Sequence, residues 1–382
     1  MIIFYRLMIT FSEVDSKTIQ FLMFAGLFWV FFIQGCSSPV DLNEVDEIEI
    51  DGYRWTFLGL EGKWVTSVED TPWGLFAGTQ ENGIFRYDES RNTWLSLGLD
   101  HAIISEIVYA LTDEPMVLVG VTCCLVDQVP STPAALFASM DGGNTWLEWD
   151  GGIARENDEN FWASSLLVDS KNPYRTYFGF NAGQLLHSND GGHTWDYSTG
   201  DSGTWGGETL TIALSPKRDG RIWVGGYNAF GYPFIVRSDD WGRDAETIYF
   251  ERFESAVRKI VVDKDDANIF WWAEQAGGIA ISEDGGDSWR PSLTPALNPD
   301  PEQVVFTGLV QVEDLLYAAG GRNPETPSGE YKLRLYKSHD KGASWMKLST
   351  PENAILAWDL KNDLQKRLLI PTSHGLWRVE RQ

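Results

Sequence analysis

Cysteine is almost missing from this chain, with three in 382 residues: Cys36 and the adjacent pair Cys123 and Cys124. A disulfide framework is thereby excluded, because the chain is too long to need one and has too few thiols to build one. Histidine is scarce as well. The five histidines stand at 101, 187, 193, 339 and 374, and none shows the short spacing that brings two imidazoles to one metal. Basic residues are outnumbered, 30 Lys and Arg against 55 Asp and Glu, for a net charge of −25. Binding to phosphate backbones needs a basic footprint, so nucleic acid is excluded as a partner. There is no Walker-type loop, dinucleotide fingerprint, G-x-S-x-G elbow or EF-hand spacing. These absences lead us to expect neither a cofactor nor a metal. Aromatic residues and glycine are plentiful: 18 Trp, 13 Tyr, 20 Phe and 37 Gly in a chain that is 43% hydrophobic. Core material is ample. With no long helical stretches, this mixture points to an all-β protein with many tight turns.

The longest apolar run, Phe21 to Ile33, has 13 residues, where a spanning helix needs about 20. It fits the core of a signal peptide. The run leads into Ile33-Gln34-Gly35-Cys36, which resembles the lipobox of bacterial lipoproteins, although Gln34 departs from the small residue usual there. The resemblance implies cleavage before Cys36 and its acylation, and two acyl chains suffice for stable anchoring. The expected organisation is a lipoprotein signal over 1–35, an acidic tether over 36–51 and a folded body over 52–382, held at the bacterial cell envelope by lipid alone.

The body is repetitive. Ser139–Trp146 (SMDGGNTW), Ser188–Trp195 (SNDGGHTW), Ser282–Trp289 (SEDGGDSW) and Ser338–Trp345 (SHDKGASW) all fit S-x-D-x-G-x-[ST]-W. Ser238–Ala245 keeps the first half of the pattern and Tyr87–Trp94 the second. The third positions fall at 89, 141, 190, 240, 284 and 340, a period of about 50 residues. Each box follows a short alternating strand, such as Gly278–Ser282, and precedes another. The aspartate accepts N–H groups across the turn, the glycine supplies a positive φ, and the indole covers the hairpin base. Upstream pairs such as Leu166–Asp169 with Tyr174–Phe180 complete four antiparallel strands, A to D, with the box at the C–D turn.

Such units, stacked radially, are propeller blades. Gly375–Val379 (GLWRV) aligns with the strand C at Gly83–Tyr87 (GIFRY), while Gly52–Leu60 resembles a strand D without its C. The expected fold is a seven-bladed β-propeller of four-stranded antiparallel blades. Its last blade is closed by the N-terminal strand, with Trp55 in the box-tryptophan position. The boxes resemble Asp-box (BNR) repeats, found in sialidases, xyloglucanases, sortilin-type receptors and photosystem II assembly factors. That resemblance spans about residues 53–382 and implies a fold rather than an activity. It also implies that Asp141, Asp190, Asp240, Asp284 and Asp340 are structural, on the face opposite the usual binding site.

Binding is therefore expected from the B–C and D–A loops. Trp162, Trp205, Tyr227, Asn228 and Tyr232 bring rings and amides to that face, the residue types that meet sugars. Hydrolysis would need paired carboxylates, for which Asp150, Glu159, Asp201 and Glu208 are the candidates. The Arg-Ile-Pro motif of sialidases is absent, and Arg258 is the one evident channel-facing arginine. The expected function is a non-catalytic, monomeric module that binds protein or carbohydrate at the envelope. The alternative is a glycoside hydrolase or lyase of the Asp-box type.

Overall fold

The computed structural model describes residues 47–100, 102–122, 135–151, 153, 162–181, 185–200, 207–250, 255–275, 278–294, 304–322 and 332–382. Cys36, Cys123, Cys124, Glu159, Asp201 and Trp205 lie outside the described residues. Seven sheets follow one another along the chain, each around a pattern of four antiparallel strands, and blade 4 gains a short parallel edge where Thr199–Gly200 pairs with Asp244–Phe250. Blade 1 consists of Val65–Thr71, Gly74–Thr79, Ile84–Asp88 and Thr93–Ser96 as strands A to D. Blades 2 to 6 repeat this order, their A strands starting at Ile103, Ala163, Glu208, Val257 and Val304. The fold is a seven-bladed, all-β propeller.

Blade 7 draws on both ends of the chain. Tyr53–Gly59 pairs antiparallel with Gly375–Arg381, and Trp55 stands opposite Val379 just as Trp94 stands opposite Tyr87 in blade 1. The shared register is what the sequence alignment requires. One expectation needs correcting: the acidic stretch up to residue 51 is not all tether. Glu47–Ile50 forms a fifth strand on the outer side of Tyr53–Gly59, and Ile48 and Ile50 pack against the blade 7 core. The alternation Glu-Ile-Glu-Ile is a strand with one wet face, and its acidic composition masks that pattern.

The core lies in the seams between blades. Phe76 and Ile84 of blade 1 pack with Ile104, Ile107, Val117 and Val119 of blade 2, all at 0% exposure. Close approach is the reason for glycine in strand B: a Cβ on Gly78 would sit 2.4 Å from Ile104 Cγ2. Around the inner ring, hydroxyls tie neighbouring A strands together. Thr66 Oγ1 donates to the Ile104 carbonyl at 2.5 Å, Thr307 Oγ1 to the Ala357 carbonyl at 2.7 Å, and Ser67 and Thr211 accept the Ile107 and Ile260 N–H groups.

The boxes build the C–D hairpins as the sequence requires, with one refinement. Asp141 Oδ1 accepts the Thr145 N–H at 2.9 Å and the Ser139 hydroxyl at 2.8 Å, and its Oδ2 accepts the Thr145 hydroxyl at 2.7 Å. These bonds, the Thr145 hydroxyl foremost, lower its pKa to about 2. The first serine of the box also matters: Ser139 Oγ accepts the buried Gly143 N–H at 2.7 Å. Gly143 has φ 91°, and a Cβ there would meet Leu97 Cδ1 of the preceding blade at 2.5 Å. The indoles reach farther than the hairpin base. Trp94 Nε1 donates to the Leu58 carbonyl at 2.6 Å, Trp146 Nε1 to the Leu97 carbonyl at 2.9 Å, and Trp345 Nε1 to Ser292 Oγ at 3.0 Å. Each of these is a bond to strand D, or the residue next to it, in the preceding blade.

Candidate functional site

Strands A begin, and strands C begin, on the face opposite the box hairpins. There, three consecutive blades bring polar side chains together at the mouth of the channel. Ser164, the bulged residue near the start of blade 3 strand A, donates its hydroxyl to Glu208 Oε1 at 2.6 Å. Trp162 Nε1 approaches the same oxygen at 3.4 Å. Glu208 opens strand A of blade 4, and its Oε2 accepts the Tyr227 hydroxyl at 2.7 Å from the end of strand B. Burial, and then the Glu208 charge, push the Tyr227 phenol up. In blade 5, Arg258 occupies the strand A bulge and donates from Nε and Nη2 to Gln275 Oε1 at 3.1 and 2.7 Å. Burial lowers its pKa, and the nearby Glu208 carboxylate partly offsets that effect.

The blade 4 B–C loop is a prebuilt finger. Asn228 is 1% exposed; its Oδ1 accepts the Phe230 and Tyr232 N–H groups at 2.9 and 3.0 Å. Its own N–H donates to the Tyr232 carbonyl at 2.9 Å, and its carbonyl accepts the Gly231 N–H at 2.9 Å. Asn228 thus builds the loop from inside, whereas its sequence position suggested a ligand-facing amide. The exposed ring is Phe230, at 62%, stacked on Tyr232 with centroids 6.2 Å apart. Sequence reasoning passed over Phe230. The signal for it was the Asn-x-x-Gly turn, which buries its first side chain and lifts the third residue of the loop.

Of the carboxylates read as catalytic candidates, only Glu208 reaches the mouth among the described residues. Asp150 is 3% exposed and its Oδ2 accepts the Ala135 N–H at 2.9 Å, a strand-tying role in blade 2. Trp162, Tyr227 and Glu208 come together; Asp150 does not join them.

Below the mouth the channel is crossed by ion pairs. Lys361 of blade 7 meets Glu106 of blade 2 at 2.9 Å, and Lys259 of blade 5 meets Asp359 of blade 7 at 2.8 Å. Blades that are not neighbours touch only across the axis, so these pairs floor the site. Burial would raise Glu106, but Lys361 and Lys259 outweigh it and hold it below its ordinary value. Glu69, on strand A of blade 1, fares differently: burial, with Glu106 beside it and Lys361 only partly compensating, pushes it from 4.5 to about 7.

No family model matches the chain, and no curated protein matches it either. Solved structures do share its fold. YCF48 from Cyanidioschyzon merolae superposes with a TM-score of 0.58 at 13% identity, covering 85% of this chain and 98% of that one. A YCF48 bound to a D1 peptide gives 0.60 at 14%, covering 88% and 97%. The GH74 xyloglucanase from Xanthomonas campestris gives 0.61 at 18% identity and covers 86% of this chain. This chain spans about half of that enzyme, 54%. At these identities the likeness is one of fold.

Proposed function

We propose that this protein is an exported, lipid-anchored propeller that binds a protein segment or a glycan at its mouth face without turning it over. The observation that carries the reading is the blade 4 finger, where a buried asparagine fixes a turn whose only large exposed side chain is Phe230. A rigid ring stacked on Tyr232 is a low-entropy contact surface. Both oxygens of Glu208 already receive donors from the protein, which favours a positioned polar contact over a proton shuttle. That a YCF48 was solved with a D1 peptide supports a protein segment as the kind of partner this fold accepts. The test is retention of envelope extract on immobilised protein: Phe230→Ala should lose the bound material, and unchanged retention would overturn the reading.

The second reading, a glycoside hydrolase, is favoured by one observation, the fixed orientation of Glu208 at the mouth. Release of reducing ends from a polysaccharide, abolished in Glu208→Gln, would establish it in place of the first. The anchor is tested separately by palmitate labelling. Label should be lost in Cys36→Ala, and undiminished uptake would remove the lipid from the proposal.

A further inference from the structure

Four of the five serine-led boxes are gripped by the blade before them at one atom, the carbonyl of the fourth box residue. The Gly142 carbonyl accepts from Arg86 Nη1, Gly191 from Trp149 Nε1 at 3.0 Å, Gly285 from Arg237 Nη1 at 2.8 Å and Lys341 from Trp271 Nε1 at 2.9 Å. The exception is the blade 4 box: among the described residues, no side chain of blade 3 donates to the Trp241 carbonyl. Arg86 and Arg237 each stand one residue before the first box position of their own blade. Lys337, at the same place in blade 6, donates to the Tyr53 hydroxyl of blade 7 at 2.7 Å. Blade 3 has His187 there. A position that holds a cation in three other blades thus holds a side chain whose charge changes near neutral pH.

His187 is 6% exposed, and its Nδ1 is buried without a protein partner. Register places it between Tyr177 on strand B and Asp196 on strand D, so the three share one side of the sheet. That side faces blade 4, since Tyr177 packs with Ile212, Ile222 and Val224. From blade 4, Asp240 and Arg243 act on the imidazole. The joint is held by other means. Ala245 stands where the other boxes carry Trp, and Thr199–Gly200 pairs in parallel with Asp244 and Ala245. The Ser198 hydroxyl donates to the Gly242 carbonyl, and the Thr199 N–H to the Arg243 carbonyl at 2.7 Å.

We propose that the blade 3–4 joint is a pH-sensitive latch with His187 as its trigger, closed while the imidazole is neutral and loosened in acid. An imidazolium carries an N–H on each nitrogen, and Nδ1 has no acceptor in this seam. Burial opposes the charge most strongly, Asp196 and Asp240 favour it, and Arg243 opposes it; the balance holds His187 below its ordinary value of 6.5. The contribution of the neutral form is therefore complete above pH 6.5 and is lost as pH falls through the lowered value. Arg243, which repels the imidazolium, is also the residue whose carbonyl holds Thr199, so the repulsion falls on the latch itself. The joints tied by Arg86 and Arg237 keep their charge throughout this range.

The test is amide hydrogen exchange of the full chain at pH 7.5 and pH 5, expressed as protection relative to the intrinsic rate at each pH. The Thr199 amide should lose protection by about tenfold in acid. The Ser344 amide of the blade 6 box, which donates to Asp340 at 2.8 Å, should keep its protection. In His187→Gln, and in His187→Leu as a second variant, Thr199 should be equally protected at both pH values. Thr199 protection in the wild type that is unchanged or higher in acid would overturn the proposal. So would a loss that Ser344 shares, or one that persists in either folded variant. The wild type supplies a check that needs no variant: a His187 imidazole titrating at or above 6.5 by NMR would also overturn the latch.

Discussion

The two faces of the ring use the same residue types in opposite ways. On the box face, polar atoms are turned on their own hairpin: Asp141, Asp190, Asp284 and Asp340 each accept from a serine two residues earlier and a Thr or Ser four residues later. Repetition there marks scaffold. At the mouth the polar atoms join across blades, and among the described residues none of the arrangement repeats. Ser164, Glu208, Tyr227, Arg258 and Gln275 come from three blades, and among the described residues the finger that exposes Phe230 occurs once. Departures from the repeat, more than the repeat itself, mark the surfaces free to take a partner.

The contrast can be broken by substitution. The largest expected effect is on ring closure: Trp55→Ala removes a side chain 1% exposed in the blade 6–7 seam and should cost about 3–5 kcal/mol in urea unfolding. A loss below about 1 kcal/mol would mean the N-terminal strand contributes little to the ring. Next comes the channel. Glu69 has its pKa raised to about 7 by burial first, so the folded form holds a proton that the unfolded chain releases above its ordinary value. Its contribution is present below about pH 4 and is lost as pH rises through 7. Glu69→Gln should therefore stabilise the protein at pH 8, on the order of 1–3 kcal/mol, and the gap should close at pH 5. An equal gap at both pH values would separate Glu69 from the titration. On the box face, Ser188→Ala leaves the buried Gly192 N–H, now 2.8 Å from the hydroxyl, without an acceptor and should cost about 1–3 kcal/mol. Phe230→Ala should change stability least, within about 0.5 kcal/mol, while removing partner retention. A stability loss as large as that of Ser188→Ala would move Phe230 from surface to scaffold.

The scaffold was legible in the sequence because its cause is local. Within Ser139–Trp146 the serine, aspartate, glycine and threonine meet inside one turn, so their spacing is their geometry. Ring closure was legible for a related reason: Trp55 and Trp94 hold the same register in their blades. The mouth was legible only in part. Glu208 is one of 55 acidic residues, and what distinguishes it is the meeting with Ser164 and Tyr227, 44 and 19 positions away. Asn228 was read as facing a ligand and Phe230 was passed over, because a turn decides which side chain is buried, and polarity alone does not. Glu47–Ile50 was lost to its composition.

The shared sheet of blade 7 orders events in time. Tyr53–Gly59 can pair with Glu47–Ile50 at once, but its inner edge finds a partner only when Gly375–Arg381 has been made, so that edge waits through almost the whole of synthesis. A chain stalled or clipped before that point keeps a seam open and an adhesive border exposed. Completion of the ring is therefore a late step, and it needs the whole span from Tyr53 to Arg381.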